Sequence, residues 1–288
     1  PCDRLSDVVR FLALCAILCA PLSTGLVGCS GDSEDAAPPT EPPAWNHDPG
    51  DADLGPDAWG DIDESFEQCS SGESQSPVDI ADTVRADLPE LEFDYPATPV
   101  TVENTGHTIE VSIPESSDLT LTIDGAEHRL VQFHFHAPSE HTVDGKSYDA
   151  EVHLVHEAAE GEIAVVAAFL ERSELVIGFV PSLLESAPEV AGQEVELDIG
   201  SPLILLGVAD STIAFGSDYD TYVGSLTTPG CTEGVRWIVS SGSMPTPSAA
   251  IDRLHELIAD FPGYDGYENN NRPTQPLNDR EIERARFG

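Results

Sequence analysis

Apolar and polar positions alternate with period two through much of the middle of the chain. Val100 to Val102, Thr108 to Ile113, Leu119 to Ile123, Arg129 to His136 and Ser147 to His156 read as strands separated by turns. Ile163 to Leu170 is instead an almost unbroken apolar run, which predicts a central strand buried on both faces. Helical periodicity is scarce. Ala249 to Ile258 places Ile251, Leu254 and Ile258 on one face, with Pro247 near the first turn. A second short helix is expected within Leu175 to Leu184, against the breakers Gly178 and Pro181. The fold class is therefore mainly β (α+β) with a few short peripheral helices. With 288 residues, 40% of them hydrophobic, the chain can bury one large core in a single domain. No internal repeat is present.

The only long apolar run outside that domain is Phe11 to Gly28, interrupted by Pro21. It ends in Leu26-Val27-Gly28-Cys29, which resembles a bacterial lipoprotein processing site. Residues 1–28 are then a leader, and Cys29 is the lipid-modified first residue of the mature chain; a plain signal peptide is the alternative. Residues 29–44 are acidic, Pro-rich and nearly free of apolar side chains, so they predict a flexible tether. Residues 45–286 form the folded domain. The expectation is an exported, periplasmic or cell-surface protein, anchored to a membrane through lipid at Cys29.

Charge narrows the partners. Asp and Glu number 53 against 12 Lys and Arg, a net charge of −41, and Lys146 is the only lysine. Such a surface repels nucleic acid and anionic lipid headgroups, so no nucleic-acid partner is expected. It resembles the surface of a salt-adapted protein, whose self-repulsion is screened at molar ionic strength.

The chemistry concentrates in Gln132-Phe133-His134-Phe135-His136 and Glu151-Val152-His153. Alternate residues of a strand share a face, so His134 and His136 point the same way. The intervening segment contains Pro138 and Asp144-Gly145, turn residues that let the next strand fold back alongside. His153 then joins the same face, and three neutral imidazoles leave a tetrahedral Zn2+ one open position, as in catalytic sites.

These blocks resemble α-class carbonic anhydrases. So do Ser139-Glu140-His141-Thr142-Val143, Gly224-Ser225-Leu226-Thr227-Thr228-Pro229, Gln75-Ser76-Pro77-Val78-Asp79-Ile80, Asn104 to His107, Val235 to Val239 and Arg272 to Leu277, in the family's order. The resemblance implies a twisted, mostly antiparallel sheet of about ten strands, with zinc in a central conical cleft. It implies reversible hydration of carbon dioxide to bicarbonate by zinc hydroxide. Thr227 and Glu140 would form the gate that orients the hydroxide, and His107 would be the proton shuttle. Gln132 and Glu151 would orient the ligand imidazoles, and Thr228 would line the bicarbonate position. Val155, Val165, Leu226, Val235 and Trp237 would form the apolar wall for carbon dioxide. Cys69 and Cys231 would be disulfide-bonded, closing a loop of more than a hundred residues. His141 and His156 resemble buried structural histidines, whereas His128 and His255 read as surface residues.

Several residues depart from the family pattern. His47 stands where a Tyr is frequent, Glu110 where Asn or Gln is frequent, Ala137 for a bulky aromatic and Asn271 for Trp. Glu110 is expected to raise the pKa of His107, and His47 is a candidate to join proton transfer. Two other readings stay open: a catalytically weak, carbonic-anhydrase-like surface binding protein, and a zinc esterase. A homodimer is one assembly compatible with the sequence. For the acidic surface the expected outcome is a melting temperature that rises from dilute buffer to molar salt. Greater stability in dilute buffer overturns the salt-adapted reading.

Overall fold

The computed structural model describes residues 43–175, 178–206 and 219–285. The leader, Cys29 and nearly all of the tether lie outside the described residues. The chain divides at Ala44, and the fold below is that of the unit beginning at Trp45.

In chain order the strands are β1 (Asp79–Ile80), β2 (Val84–Ala86), β3 (Leu91–Asp94), β4 (Pro99–Asn104), β5 (Ile109–Ser112), β6 (Thr120–Ile123), β7 (Ala126–His136) and β8 (Thr142–Val143). They continue with β9 (Lys146–Ser147), β10 (Ala150–Ala158), β11 (Ile163–Ser173), β12 (Glu194–Asp198), β13 (Tyr219–Ser225), β14 (Glu233–Pro247) and β15 (Glu283–Ala285). Among the described residues twelve of these form one sheet, whose main path runs β12-β4-β5-β7-β10-β11-β14-β13-β15-β2. Strands β3 and β6 join it through β7, while β1, β8 and β9 form a separate small sheet. Pairing in the large sheet is antiparallel except for β11 with β14 and β15 with β2, so the sheet is mixed.

The expected hairpin forms. Strand β10 lies antiparallel to β7 with His153 directly opposite His134 and Glu151 opposite His136. The predicted Ser147–His156 strand is broken: β9 ends at Ser147 and β10 starts at Ala150. Residues Ile163 to Leu170 are buried throughout, as an unbroken apolar run requires of a strand covered on both sides.

The two faces of the sheet divide the work. Phe133, Phe135, Val152, Leu154, Val166 and Leu170 project into the main core, where they meet the helix Ser248–Ala259 and its buried Ile251, Leu254 and Ile258. The opposite face carries the imidazoles. The second predicted helix begins later than expected, at Val180, with Pro181 in its first turn. Gly178, at φ 70°, has a left-handed backbone that cannot continue into a helix. A Cβ there would also meet Ile204 Cγ1 at 2.9 Å. Among the described residues no helix is long and apolar enough to cross a membrane.

His128 corrects a sequence reading: it is buried, not at the surface, on β7 between its sheet neighbours Leu121 of β6 and Ala158 of β10. His156 is buried as expected. Its Nδ1 donates to the Ala164 carbonyl at 3.2 Å and its Nε2 accepts from the Tyr95 hydroxyl. Both nitrogens are then satisfied by the neutral ring, and burial pushes the pKa down to about 3. A base with a depressed native pKa stabilises the fold above its unfolded value and loses that contribution as pH falls through the interval. Wild type is therefore expected to lose stability relative to His156→Gln as pH drops from about 6.5 to 3, by roughly 1.4 kcal/mol per pH unit. Denaturant titrations across this range check the slope; parallel curves for the two proteins overturn it.

Candidate metal centre and active site

Register builds the site. Glu110, His134, His153 and Ala167 lie directly opposite one another on β5, β7, β10 and β11. One pair further along the same face come Ser112, Gln132, Val155, Val165 and Trp237, again directly opposed. His136 is two residues from His134 on that face. A row of imidazoles therefore runs beside a row that is apolar from Val155 to Trp237.

The rings of His134, His136 and His153 have centroids 4.6 to 5.2 Å apart, and one nitrogen from each falls within 4.8 Å of the other two. In each ring the second nitrogen is already engaged. His134 Nδ1 donates to Gln132 Oε1, His136 Nδ1 to the Asn270 carbonyl and His153 Nε2 to Glu151 Oε1, all at 2.8 Å. These bonds fix the tautomers and leave His134 Nε2, His136 Nε2 and His153 Nδ1 as free lone pairs. His136 Nε2 is buried without any partner. Burial, then neighbouring imidazoles, hold the His134 pKa well below its ordinary value, and burial also lowers that of His136. Neutral, convergent and unpartnered nitrogens fit a divalent metal of zinc's preference.

His141 is not part of that set. Its Nδ1 bonds Glu151 Oε1 at 2.6 Å and its Nε2 bonds the Tyr222 hydroxyl at 2.7 Å, so neither nitrogen is free. The Glu151 carboxyl is fully buried, which favours the neutral form. The electrostatic interactions and hydrogen bonds it makes with the His141 and His153 rings outweigh this and hold its pKa below the usual carboxylate range.

Glu140 and Thr227 are both buried, and Glu140 lies beside His136 and His153. Glu140 Oε1 accepts the Arg272 backbone N–H at 2.7 Å, and Oε2 lies 3.9 Å from His153 Nδ1. Oε2 has no hydrogen-bond partner, so the expected Thr227-to-Glu140 bond is not made here. The acceptor stands open while the oxygen beside it is occupied by backbone. Trp237 Nε1 donates to the Ser225 carbonyl at 3.0 Å, and its ring meets His153 edge-on at 4.8 Å. Val155, Val165 and Val235 are buried, and Leu226 and Thr228 half-buried.

Cys69 and Cys231 form a disulfide across 162 positions. The Cys231 N–H donates to the Thr228 carbonyl at 2.9 Å, so the bridge pins the loop that carries Thr227 and Thr228. Closing so long a loop stabilises the fold by about 5 kcal/mol in the chain-entropy picture.

His107 lies flat against Trp45, ring centroids 3.7 Å apart and 8° between planes. Burial there pushes its pKa down to about 4, the reverse of the rise expected from Glu110. That carboxyl is itself buried and, by burial and then Glu103, is pushed up to about 7.

Sequence reasoning missed Asn270 as a site residue. Its carbonyl orients His136, its Oδ1 accepts Ala137 N–H, and its Nδ2 donates to the carbonyls of His107 and Phe135. Arg272 was read only as part of a block. Its guanidinium is buried, donating to Gln75 Oε1 and to the carbonyls of Ser76 and Cys69, and it lies over the Trp59 ring. The signal in the sequence is the run Asn269-Asn270-Asn271-Arg272, polar residues where a loop needs none of them.

Three imidazoles on one sheet face, each backed by an oxygen acceptor and bordered by an apolar wall, form a candidate metal centre. The profile of the family described as eukaryotic-type carbonic anhydrase matches residues 54–286. A carbonic anhydrase of Klebsiella pneumoniae is 38% identical over 231 residues, covering 79% of this chain and 86% of its own. One from Neisseria gonorrhoeae is 36% identical over 227 residues, covering 79% and 83%. The structure of a hyperthermostable carbonic anhydrase from an active hydrothermal vent chimney superposes with a TM-score of 0.73 at 34% identity, covering 84% of this chain and all of that one. The chain belongs to the α-carbonic anhydrase family, and it is a carbonic anhydrase.

Proposed function

We propose that the chain hydrates carbon dioxide reversibly with zinc held by His134 Nε2, His136 Nε2 and His153 Nδ1. The observation that carries this reading is the set of three free imidazole nitrogens, each ring fixed by an acceptor at 2.8 Å on its far side. Bound there, zinc supplies a nucleophile at neutral pH by acidifying a water molecule.

The protein's own side chains do the rest. Val155, Val165, Leu226, Val235 and Trp237 give uncharged carbon dioxide an apolar seat beside the metal. Thr227 accepts a hydrogen bond from the nucleophile and turns its own proton toward the open Oε2 of Glu140, while Thr228 lines the bicarbonate position. Gln132, Glu151 and the Asn270 carbonyl hold the ligand rings against rotation. His107 carries the proton outward. In its stack on Trp45 it is a weak base, with a pKa of about 4, so accepting a proton near neutral pH requires it to leave the stack for solvent.

The intact ligand set favours the enzyme over a weakly active surface binding protein. A zinc esterase reading is carried by the same nucleophile as a side reaction. The disulfide, the leader and the tether support an exported protein whose membrane attachment is lipid on Cys29.

Stopped-flow hydration of carbon dioxide is expected with purified, zinc-loaded protein and is lost, together with zinc, in His134→Ala. Intact zinc without hydration favours the binding reading. His107→Ala is expected to slow turnover in weak buffer and to recover with added imidazole; indifference to buffer removes the shuttle role. For localisation, mass spectrometry of protein from the native host is expected to find a lipid-modified Cys29 at the mature N-terminus, and an unmodified Cys29 ends the anchor proposal.

A further inference from the structure

A cavity of about 270 Å³ opens at the β13 and β14 end of the sheet, on the face away from the imidazoles. One wall is apolar: Leu91 of β3 lies directly opposite Ile123 of β6, and Leu88 and Pro89 complete it. The floor is Thr221 and Val223 of β13 with Ile238 of β14. It backs onto the active site, since Tyr222 and Trp237 alternate with these residues along the same two strands. Among the described residues four large apolar side chains are exposed, and two of them belong to this region. Val223 lines the cavity while 56% exposed, and Val84 stands directly opposite Glu283, another lining residue.

The hydroxyls of Tyr219 and Thr221 are already committed. Tyr219 donates to the Pro89 carbonyl and Thr221 to the Trp237 carbonyl, each at 2.7 Å. Recognition is left to the charged groups. Arg236, directly opposite Val223, has Glu162 at 3.7 Å, and both side chains are about half exposed. Such a pair holds a guanidinium only weakly. Glu281 and Glu283 also line the cavity and make no ion pair among the described residues. Strand β13 separates the two signs, because Thr221 has Ile238 of β14 on one side and Glu283 of β15 on the other. Opposite charges therefore flank an apolar floor without meeting.

We infer that this cavity binds a short apolar peptide with both termini free: its carboxylate on Arg236, its ammonium on Glu281 and Glu283, and its side chains against Val223, Leu91 and Ile123. A carboxylate fits the guanidinium fork, and an ammonium fits a pair of carboxylates. Separation selects the length. A free amino acid carries both charges on a single Cα, whereas Arg236 and Glu283 stand farther apart than an ion pair. Two residues span about 7 Å, which suits charges set on strands either side of β13. The volume lies just below the usual range for organic-ligand pockets, which starts near about 300 Å³, so a dipeptide is close to the largest occupant. A purely anionic or purely cationic ligand would leave one sign of charge unmet. No metal ligand takes part, so the inference stands apart from the hydration reading.

The test is calorimetric titration of zinc-loaded full-length protein with leucyl-leucine, and the expected result is one molecule bound per chain. Affinity is expected to fall roughly tenfold or more when one group is removed. N-acetyl-leucyl-leucine lacks the ammonium, leucyl-leucinamide the carboxylate, and glycyl-glycine the apolar side chains. Arg236→Gln and the double variant Glu281→Gln/Glu283→Gln are expected to lose as much, with zinc content and melting temperature little changed. Methyl spectra are expected to shift at Val223 and Ile238 on adding the peptide, and not at Val155 and Val165 on the imidazole face. The peptide series and the methyl shifts decide the matter even if a variant fails to fold. No binding, equal affinity for the blocked or glycine peptides, or equally tight binding of free leucine overturns the inference. So do unchanged affinity in the folded variants and shifts confined to Val155 and Val165.

Discussion

Everything in the site depends on one register: His153 of β10 directly opposite His134 of β7. Side chains on a strand alternate with period two, so slipping that pairing by one residue would turn His153 into the core and bring Val152 or Leu154 to the metal face. The register is held from behind. Phe133, Phe135, Val152 and Leu154 occupy the other face of the same two strands and are fully buried, so a slip would also drive apolar side chains out of the core and imidazoles into it. The hydrophobic face therefore aligns the catalytic face. That alignment extends sideways, because Val155, Val165 and Trp237 share the next row across β10, β11 and β14.

Register places the rings but does not orient them. For His134 and His153 the orienting acceptors are neighbours two residues away on the same strands, Gln132 and Glu151; for His136 the acceptor comes from far along the chain. Asn270 holds His136 and also the carbonyl of His107, so a ligand and the shuttle candidate share one support. Two positions on, Arg272 closes on Glu140 through its backbone and on Gln75, Ser76 and Cys69 through its guanidinium. The Cys69 end of that cluster is bonded to Cys231, beside the Thr227 loop. His136, Glu140 and, through the disulfide, the loop that carries Thr227 are thus braced by one short C-terminal segment. A buried polar cluster of this kind is stabilising only when nearly every member is satisfied. Its open atoms include His136 Nε2, Glu140 Oε2 and Arg272 Nε.

What the sequence made legible follows from distance along the chain. The meeting of the three imidazoles could be read because two are at i, i+2 and the third is across a single hairpin. Gln132 and Glu151 could be read because each lies two residues from the ring it supports. The central burial of β11 was plain from its unbroken apolar run. Contacts closed across 134 residues, as for Asn270 with His136, or 217, as for Tyr264 with His47, leave no local pattern. The parallel pairing of β11 with β14 was invisible for the same reason. His128 was misread because a lone polar residue in a strand looks exposed until its tertiary surroundings are known. Family resemblance supplied roles for Thr227 and His107, but their present hydrogen bonds and stacking depend on packing that no motif encodes.

The acid-rich composition enters the site through the sheet itself. Glu194, Glu103 and Glu110 lie directly opposite one another on β12, β4 and β5, in the row that continues through His134 and His153. Like charges in such positions repel, and the chain meets that repulsion in two ways. At the exposed end Glu194 is open to solvent and its charge can be screened by salt. Glu110, at the buried end, is beyond the reach of ions, and burial together with Glu103 pushes its pKa up to about 7. It relieves the repulsion by keeping a proton. Glu103 between them shifts upward too, through partial burial and Glu194. The same excess of carboxylates therefore has different consequences along a single row: dependence on ionic strength at the rim, and dependence on pH beside the metal centre.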